Sequence, residues 1–288
     1  MTIIDRSSTR KEILLHVENV SLSLGSGSER RLILRDVDAE IRNVVRPGMQ
    51  QGQVVGFLGP SGIGKTQLFR IIAGFQEPDE GRVLVGTEQI VTKTGRVGVV
   101  SQNYLVLNHR TVFGNLAFAA MQGRLSKREA ADKANHYLEQ FDLIGHRNRW
   151  PAELSGGQRQ RLAILQQVLV GHQTICMDEP FSGLDVNQVH KVAQLISNLT
   201  SYDELLTISV VTHDIGAALE VSDTLWLMGH EPNLEKPGEF LPGARIIAES
   251  DLIGEGLAWD PNLRTNPKFR ELEGIVTERF RTLTHVAK

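Results

Sequence analysis

The sequence predicts an α/β protein built around a mostly parallel sheet, and three observations support this fold class. Short apolar runs rich in β-formers recur along the chain, and several are continuous, as in strands covered on both faces. Helical patterns separate the later runs, and a glycine-framed loop directly follows the run at 54–58. The predicted strands lie at residues 54–58, 83–85, 97–100, 174–177, 208–211 and 225–228.

The N-terminal part of the chain has a different pattern. From about residue 13 to residue 41 apolar and polar residues alternate, with a turn signal at Gly25, Ser26 and Gly27. This pattern predicts an N-terminal antiparallel β subdomain that flanks the core. Residues 43–51 are interpreted as a small polar loop inserted before the strand at 54–58.

A helical subdomain is predicted to be inserted in the middle of the chain. Residues 111–150 lose the strand pattern, and Ser126 with Glu129 has the spacing of a capping box at a helix start. One apolar helical face follows that start and contains Ala130, Ala134, Tyr137, Leu138 and Phe141.

A last helix is predicted after a turn-rich stretch near the C-terminus. Asn266 can cap it, and Pro267 occupies its first turn. A helical stripe most often packs against its own domain, and binding to a partner is the alternative. The stripe contains Phe269, Leu272, Val276 and Phe280.

Composition indicates a globular protein. With 288 residues, 41% of them hydrophobic, the chain can bury a packed core. No apolar stretch approaches the roughly 20 residues that span a bilayer, and the polar N-terminus lacks a secretory segment, so membrane association is expected to be peripheral. A single cysteine, Cys176, fits a reducing, cytoplasmic setting. A net charge of -3 gives no basic footprint for nucleic acid.

Residues 59–66 read GPSGIGKT and predict a phosphate-binding loop. Glycines let successive backbone N–H groups point at one anion, Lys65 adds a positive charge, and Thr66 offers a hydroxyl to magnesium. A helix expected to begin near Lys65 would direct the positive end of its dipole at the same phosphates. The alternative is an ordinary glycine turn, which the preceding strand disfavours.

Polar residues follow three of the predicted strands. Asp178 and Glu179 follow the strand at 174–177, His213 follows 208–211, and Gln102 follows 97–100. Ligands of open α/β sheets bind at the carboxyl ends of strands. One carboxylate could therefore hold magnesium while the next polarises water, and Gln102 and His213 could contact metal, water or phosphate. Taken singly, each of these residues would more often belong to an ordinary strand end, and it is their position downstream of a phosphate-binding loop that favours a functional role.

Residues 154–161 read LSGGQRQR, the most specific segment of the chain. Ser155 and Gln158 have capping-box spacing, so a helix is predicted to start there. Glycine amides and a hydroxyl would then lie at the positive end of its dipole, which makes a second anion site.

The order of these segments resembles the ABC-type ATPase family over about residues 13–228. The segments are GPSGIGKT, Gln102, LSGGQRQR, the strand ending in Asp178 and Glu179, FSGLD at 181–185 and THD at 212–214. The resemblance implies an ABC ATPase domain at 1–240 with its helical subdomain at about 111–165, and a C-terminal extension with an amphipathic helix at 241–288. It also implies ATP and Mg²⁺ as ligands, and ATP hydrolysis as the activity.

The resemblance also assigns roles to single residues. Lys65 would bind the β- and γ-phosphates, Thr66 and Gln102 would coordinate Mg²⁺, and Asp178 would hold it through water. The residues expected to contact the nucleotide are Gly59, Pro60, Ser61, Gly62, Ile63, Gly64, Lys65, Thr66, Ser155, Gly156, Gly157, Gln158 and Asp185.

The resemblance also implies which residues take part in catalysis. Glu179 would be the general base, and His213 would fix the γ-phosphate and the attacking water. Together with Lys65 and Gln102 these are the expected catalytic residues, and much of the barrier reduction would be electrostatic.

Partners follow from the same resemblance. In the family two ATPase domains pack head to tail, with each nucleotide between one phosphate loop and the other LSGGQ helix. This chain carries one of each, so a homodimer or a pair with a similar subunit is implied, and Asp185 would link the two sites.

Residues 102–112 resemble the importer segment that receives a short helix of the membrane permease. Residues 260–280 resemble the tail of the nitrate, sulfonate and taurine importer group. The expected location is peripheral, on the cytoplasmic face of the inner membrane.

The sequence departs from the family at three positions. Leu24 stands where an aromatic residue normally stacks on adenine, so weaker ATP affinity or weaker discrimination against GTP is expected. Gln67 replaces a second hydroxyl residue after Thr66, and Gln166 replaces an arginine, which could weaken a structural ion pair.

Two other functions are weighed against an importer ATPase. A soluble ABC protein acting on ribosomes or nucleic acid typically carries two ATPase domains or a long coiled-coil insertion, and this chain has neither. A nucleotide-binding regulator without turnover is disfavoured because both Glu179 and His213 are present.

Overall fold

The structure is a computed structural model that describes residues 10–44, 52–184, 186–201, 203–258, 260 and 263–284. No helix in these ranges has the length and apolar character needed to cross a membrane. The strands are β1 Arg10–Leu24, β2 Arg31–Val44, β3 Gln53–Leu58, β4 Glu80–Val85, β5 Ile90–Val91, β6 Gly98–Val100, β7 Thr174–Asp178, β8 Thr207–Thr212, β9 Thr224–Gly229 and β10 Arg245–Asp251. The α-helices are α1 Lys65–Ile72, α2 Val112–Gln122, α3 Lys127–Gln140, α4 Gly156–Val170, α5 Val186–Thr200, α6 Ile215–Val221 and α7 Pro267–Thr284.

The core is a six-stranded sheet in the order β10-β9-β3-β8-β7-β6. Neighbouring strands from β9 to β6 run parallel, and β10 pairs antiparallel with β9 at the edge. Both β3 and β8 are buried along their whole length. This burial explains why neighbouring apolar residues occur in both strands in place of a strict apolar–polar alternation, since neither face meets water.

The second sheet is antiparallel, in the order β2-β1-β4-β5, and it confirms the N-terminal β subdomain. Two sequence-based expectations are corrected here. The run at 83–85 belongs to β4 in this sheet and not to the parallel core. The polar loop was placed two residues too early, because Asn43 and Val44 still belong to β2. The other residues of the predicted loop, 45–51, lie outside the described ranges.

The helical segment between β6 and β7 forms as expected. The Ser126 hydroxyl accepts a hydrogen bond from Glu129 N at 3.3 Å, and the Glu129 carboxylate accepts one from Ser126 N at 2.9 Å. The side chains predicted for the apolar face are all buried against α2 and α4, and they are Ala130, Ala134, Tyr137, Leu138 and Phe141.

The C-terminal helix α7 packs against the chain's own core sheet and α6. Asn266 Oδ1 accepts a hydrogen bond from Lys268 N at 3.0 Å at the start of the helix. Phe269 and Val276 are 5% and 4% exposed, and they share an apolar cluster with Leu58 and Ala218. Leu272 and Phe280 pack at the edge of that cluster. The apolar stripe of α7 is therefore buried against the chain's own domain, as predicted from the sequence.

Strand β10 was not predicted from the sequence pattern, and it adds an antiparallel edge strand to the core sheet by pairing with β9. The expected boundary between an ATPase domain and an extension at residue 240 stays a prediction.

Removal of the Phe269 ring is expected to destabilise the protein. Phe269→Ala should lower the free energy of unfolding by about 3 kcal/mol, because it leaves a cavity between α7 and α6. Ile275→Ala is the matched control, since Ile275 is 47% exposed on the same helix, and its effect should stay within about 0.5 kcal/mol. Urea denaturation followed by circular dichroism measures both. Equal effects of the two variants would contradict the packing of α7.

Candidate functional site

The predicted phosphate-binding loop, called the phosphate loop below, joins the end of β3 to the start of α1. Gly62 has a φ of 82° and Gly64 a φ of 108°, in the left-handed region that favours glycine. A Cβ on Gly64 would lie 3.0 Å from Leu34 Cδ2, so the loop is also pressed against the N-terminal sheet. These constraints let the loop turn back over the first helical residue, and α1 begins at Lys65 as expected.

The Lys65 side chain lies folded across this loop. Its side-chain nitrogen Nζ donates hydrogen bonds to Gly59 O at 2.7 Å and to Pro60 O at 3.0 Å. Burial lowers the pKa of the Lys65 ammonium, while the nearby carboxylates of Glu179 and Asp178 act in the opposite direction. The positive charge of Lys65 therefore lies near the carboxylates of Asp178 and Glu179, as the sequence predicted.

The two carboxylates emerge at the end of β7. Asp178 is the last residue of the strand, and burial raises the pKa of its carboxyl group. The charge of Glu179 adds to that rise, and Lys65 opposes it. A protonated Asp178 would lose its charge, and a cation bound beside it would restore the carboxylate form.

The Glu179 carboxylate is held from both sides. Its backbone has a φ of 47°, an uncommon value for a residue with a side chain, and its N–H donates to Val211 O at 2.8 Å. Thr212 Oγ1 donates to Glu179 Oε2 at 3.1 Å, and His213 Nδ1 lies 2.9 Å from Glu179 Oε1. The glutamate is thus oriented by the strand that neighbours its own.

Gln102 lies near the same edge of the sheet. Its Nε2 donates to Ser182 Oγ at 3.2 Å, which leaves its oxygen Oε1 free to face a cation. Thr66 is exposed at the start of α1. The side chains proposed for the metal are therefore a hydroxyl, an amide oxygen and one carboxylate, the hard oxygen donors that suit Mg²⁺. Within the described ranges no cluster of three His, Cys, Asp or Glu offers a different metal site.

The LSGGQRQR segment starts α4 with the predicted capping box. Ser155 Oγ accepts from Gln158 N at 3.4 Å, and Gln158 Oε1 accepts from Ser155 N at 3.0 Å. Ser155, Gly156 and Gly157 are exposed. The side-chain hydrogen bonds of Ser155 and Gln158 join them to each other and to His146, and none of these bonds reaches the phosphate loop. Asp185, the other residue expected to act across a dimer, lies outside the described ranges.

Sequence reasoning missed two residues that orient the site or the segment that follows Gln102. Thr212 is one, although a hydroxyl next to a strand-end histidine is a usable signal. Another is Asn115, a fully buried amide in the apolar helix α2, whose Nδ2 donates to the carbonyls of Leu107, Arg110 and Thr111 at 2.9–3.1 Å. A buried asparagine in an apolar helix is a signal for such a role.

Gln166 has a neutral partner in this structure. Its Nε2 donates to Asn115 Oδ1 at 2.9 Å, so a hydrogen bond between two amides stands where an ion pair was considered. Leu24 ends β1 and is 38% exposed, which leaves it accessible for the contact considered for it.

Comparisons with known proteins agree with these motifs. The profile of the ABC transporter family matches residues 43–182. A sulfate/thiosulfate import ATP-binding protein from Shewanella oneidensis is 36% identical over 230 residues, which cover 76% of this chain and 60% of that protein. Its counterpart from Chromobacterium violaceum is 38% identical, covering 75% and 59%. The chain thus spans about three fifths of the length of these relatives.

A solved structure shares the fold. It is a dimeric, post-hydrolysis form of the ATP-binding cassette MJ0796 bound to ADP and Pi, with a TM-score of 0.62 and 25% identity. The likeness covers 83% of this chain and 99% of that one.

Proposed function

We propose that this chain binds and hydrolyses ATP to power a bacterial importer. Residues 43–182 match the ABC transporter family, and the chain shares the fold of a solved ATP-binding cassette. The relatives named above are ATP-binding proteins of sulfate/thiosulfate import. A soluble ABC protein acting on ribosomes or nucleic acid finds no support in those names.

One observation carries the catalytic part of the proposal, the doubly held carboxylate of Glu179. Thr212, the last residue of β8, and His213, which follows it, contact the two carboxylate oxygens, and the charge of Glu179 opposes the lowering of the Lys65 pKa by burial. A regulator without turnover has no need of a carboxylate oriented in this way. The arrangement therefore favours hydrolysis over simple nucleotide binding.

The reaction assigns a separate task to each side chain. Glu179 takes a proton from a water molecule, and the water oxygen bonds to the γ-phosphorus as the bond to the β–γ bridging oxygen breaks. Lys65 leaves the Gly59 and Pro60 carbonyls to stabilise negative charge on the β- and γ-phosphates. The His213 side chain lies 2.9 Å from a Glu179 carboxylate oxygen and is 59% exposed. It can therefore turn towards the γ-phosphate when a water molecule replaces it beside Glu179.

A magnesium ion fits the donor set of Thr66, Gln102 and Asp178. When bound it would neutralise charge on the phosphate oxygens. Asp178 would hold the ion through water. Burial raises the pKa of its carboxyl group, and the positive charge of a bound cation would favour the ionised carboxylate again.

The partners we propose are a second ATPase subunit and a membrane permease. Ser155, Gly156 and Gly157 are exposed at the start of α4, where the backbone N–H groups of a helix lack intrahelical partners. They would close on the phosphates held by the other subunit. In the segment at 102–112, Leu105 is 77% exposed, an apolar side chain that a permease helix would cover. The chain would then lie on the cytoplasmic face of the inner membrane as a peripheral subunit.

The cargo we propose is a small oxyanion. The tail at 260–280 resembles nitrate, sulfonate and taurine importers, and the relatives are named for sulfate and thiosulfate. The substrates in both sets of names are small molecules that carry an oxyanion group of sulfur or nitrogen. The nitrate, sulfonate and taurine assignment itself rests on the tail alone.

Loss of the proposed base should abolish turnover and preserve binding. Glu179→Gln should lower kcat for ATP hydrolysis about 100-fold or more, because the amide cannot take a proton from water. Its Kd for ATP should stay near the wild-type value, and with ATP and Mg²⁺ it should accumulate as a dimer in size-exclusion chromatography. Turnover near the wild-type rate would refute the assignment.

Lys65→Ala provides the opposite pattern as a control. It should weaken ATP binding roughly tenfold to a hundredfold, since it removes a charge-assisted hydrogen bond to phosphate. Equilibrium titration with a fluorescent ATP analogue measures this. Equal Kd values for the two variants would argue against a separate role for Lys65.

An aromatic residue at position 24 should strengthen ATP binding. Leu24→Tyr adds a ring that can stack on adenine, and a gain of up to about tenfold in affinity is expected from stacking. Leu24→Met is the matched control, because it changes the side chain without adding a ring. The hypothesis fails if the tyrosine variant binds ATP no better than the methionine variant.

Association with a permease can be tested directly. The tagged chain, captured from detergent-solubilised membranes of its source, should retain a membrane protein with several spans. Leu105→Asp should lose this partner while keeping ATPase activity, because a charge replaces the exposed apolar contact. Recovery of ribosomal or nucleic-acid components in place of a membrane protein would favour the soluble alternative.

A further inference from the structure

The start of α4 is organised by a side chain outside the LSGGQRQR segment. His146 ends a short 3₁₀ turn, Ile144–His146, and its Nε2 lies 2.9 Å from Gln158 Nε2. Gln158 is the same residue whose Oε1 accepts from Ser155 N at 3.0 Å. One amide group therefore joins the 3₁₀ turn to the first residues of the helix.

The hydrogen-bond partners determine which way the Gln158 amide faces. If the amide were turned round, its NH₂ group would face Ser155 N–H, and two donors would meet. The oxygen must therefore face Ser155 and the nitrogen must face His146. An amide nitrogen only donates, so His146 Nε2 must carry the lone pair and the ring proton must be on Nδ1.

This tautomer has a cost at the other ring nitrogen. His146 Nδ1 is buried and has no hydrogen-bond partner among the described residues. An N–H left unpaired in this way is unfavourable, and an apolar side chain of similar size would avoid the cost. The histidine is therefore better explained by what its Nε2 does than by packing.

We propose that His146 is a positioning residue for the anion-binding start of α4. His146 Nε2 accepts a hydrogen bond from the Gln158 amide nitrogen, and this bond holds the Gln158 side chain over the first residues of α4. The groups left to meet a phosphate are then the Ser155 hydroxyl and the backbone N–H groups of Gly156 and Gly157. Gln158 acts on the phosphate site through them and is not itself a phosphate ligand. This inference rests on the proposed function, in which that helix start meets ATP held by a second subunit.

The tautomer can be measured on the unaltered protein. Long-range ¹⁵N–¹H NMR at about pH 8, where histidine side chains are mostly neutral, reports which ring nitrogen carries the proton. The chain has nine histidines, so the spectrum of His146→Gln identifies the resonance that disappears. We expect the Nδ1–H form for His146. A ring protonated at Nε2 would overturn the proposal whether or not the protein hydrolyses ATP.

Three substitutions separate positioning from packing. Glutamine places an acceptor close to the position of histidine Nε2, asparagine places one close to Nδ1, and leucine has none. His146→Gln should keep kcat within about twofold, whereas His146→Leu and His146→Asn should lower it about fivefold, as expected for one neutral hydrogen bond. Kd for ATP on the isolated subunit should be unchanged in all three, because the phosphate loop is untouched.

The outcomes distinguish this proposal from the proposed function. Wild-type kcat in His146→Leu, or equal loss in the leucine and glutamine variants, would overturn the positioning role and leave ATP hydrolysis intact. A wild-type chain that does not hydrolyse ATP would refute the proposed function instead, and the tautomer would still be decided by NMR. If the leucine variant does not fold, the tautomer and the contrast between glutamine and asparagine decide.

Discussion

The parallel register of three neighbouring strands is the constraint on which the site depends. Leu58 of β3 pairs with Thr212 of β8, and Asp178 of β7 pairs with Val211 of β8. Adjacent strands lie about 4.8 Å apart, so the residues that follow these pairs must emerge side by side. They are Gly59 of the phosphate loop, Glu179 and His213. The Glu179 N–H extends the ladder by donating to Val211 O, and this bond aims the carboxylate at Thr212 and His213. A slip in register would separate all three groups.

A second set of bonds links the strand ends to the helical segment. The carbonyl of Pro180, next to Glu179, accepts from Gln160 Nε2 at 2.7 Å and from Tyr104 Oη at 3.2 Å. Gln160 is fully buried in α4, and burial raises the pKa of the Tyr104 phenol, which keeps its proton available for donation. One carbonyl thus joins the segment that follows Glu179, the LSGGQRQR helix and the segment after Gln102. Movement of any of these segments must strain bonds to the others.

Sequence reasoning succeeded where a single local pattern determines the structure. The shape of the glycine-framed loop before α1, the capping boxes at Ser126 and Ser155 and the buried stripe of α7 each follow from spacing within one element. It was less successful where two distant segments meet. The run at 83–85 has the composition of a core strand, and only its partner β1 places it in the other sheet. Similarly, Asn115 and His146 act on chain segments whose proximity is a property of the fold.

The central claim is that the phosphate loop of one copy and the start of α4 of another enclose the same ATP. Ser61 and Gly156 are exposed, a Cβ on Gly156 meets no neighbour within 4 Å, and the native Cys176 is buried with its pKa raised to about 12, so it does not compete for a thiol reagent. The most direct measurement is crosslinking of Ser61→Cys with Gly156→Cys by a short bis-maleimide in the Glu179→Gln background. We expect an ATP-dependent intermolecular product when both cysteines are present and none with either alone. Crosslinking that is absent with ATP, or equally strong between two copies of a single variant, would contradict it.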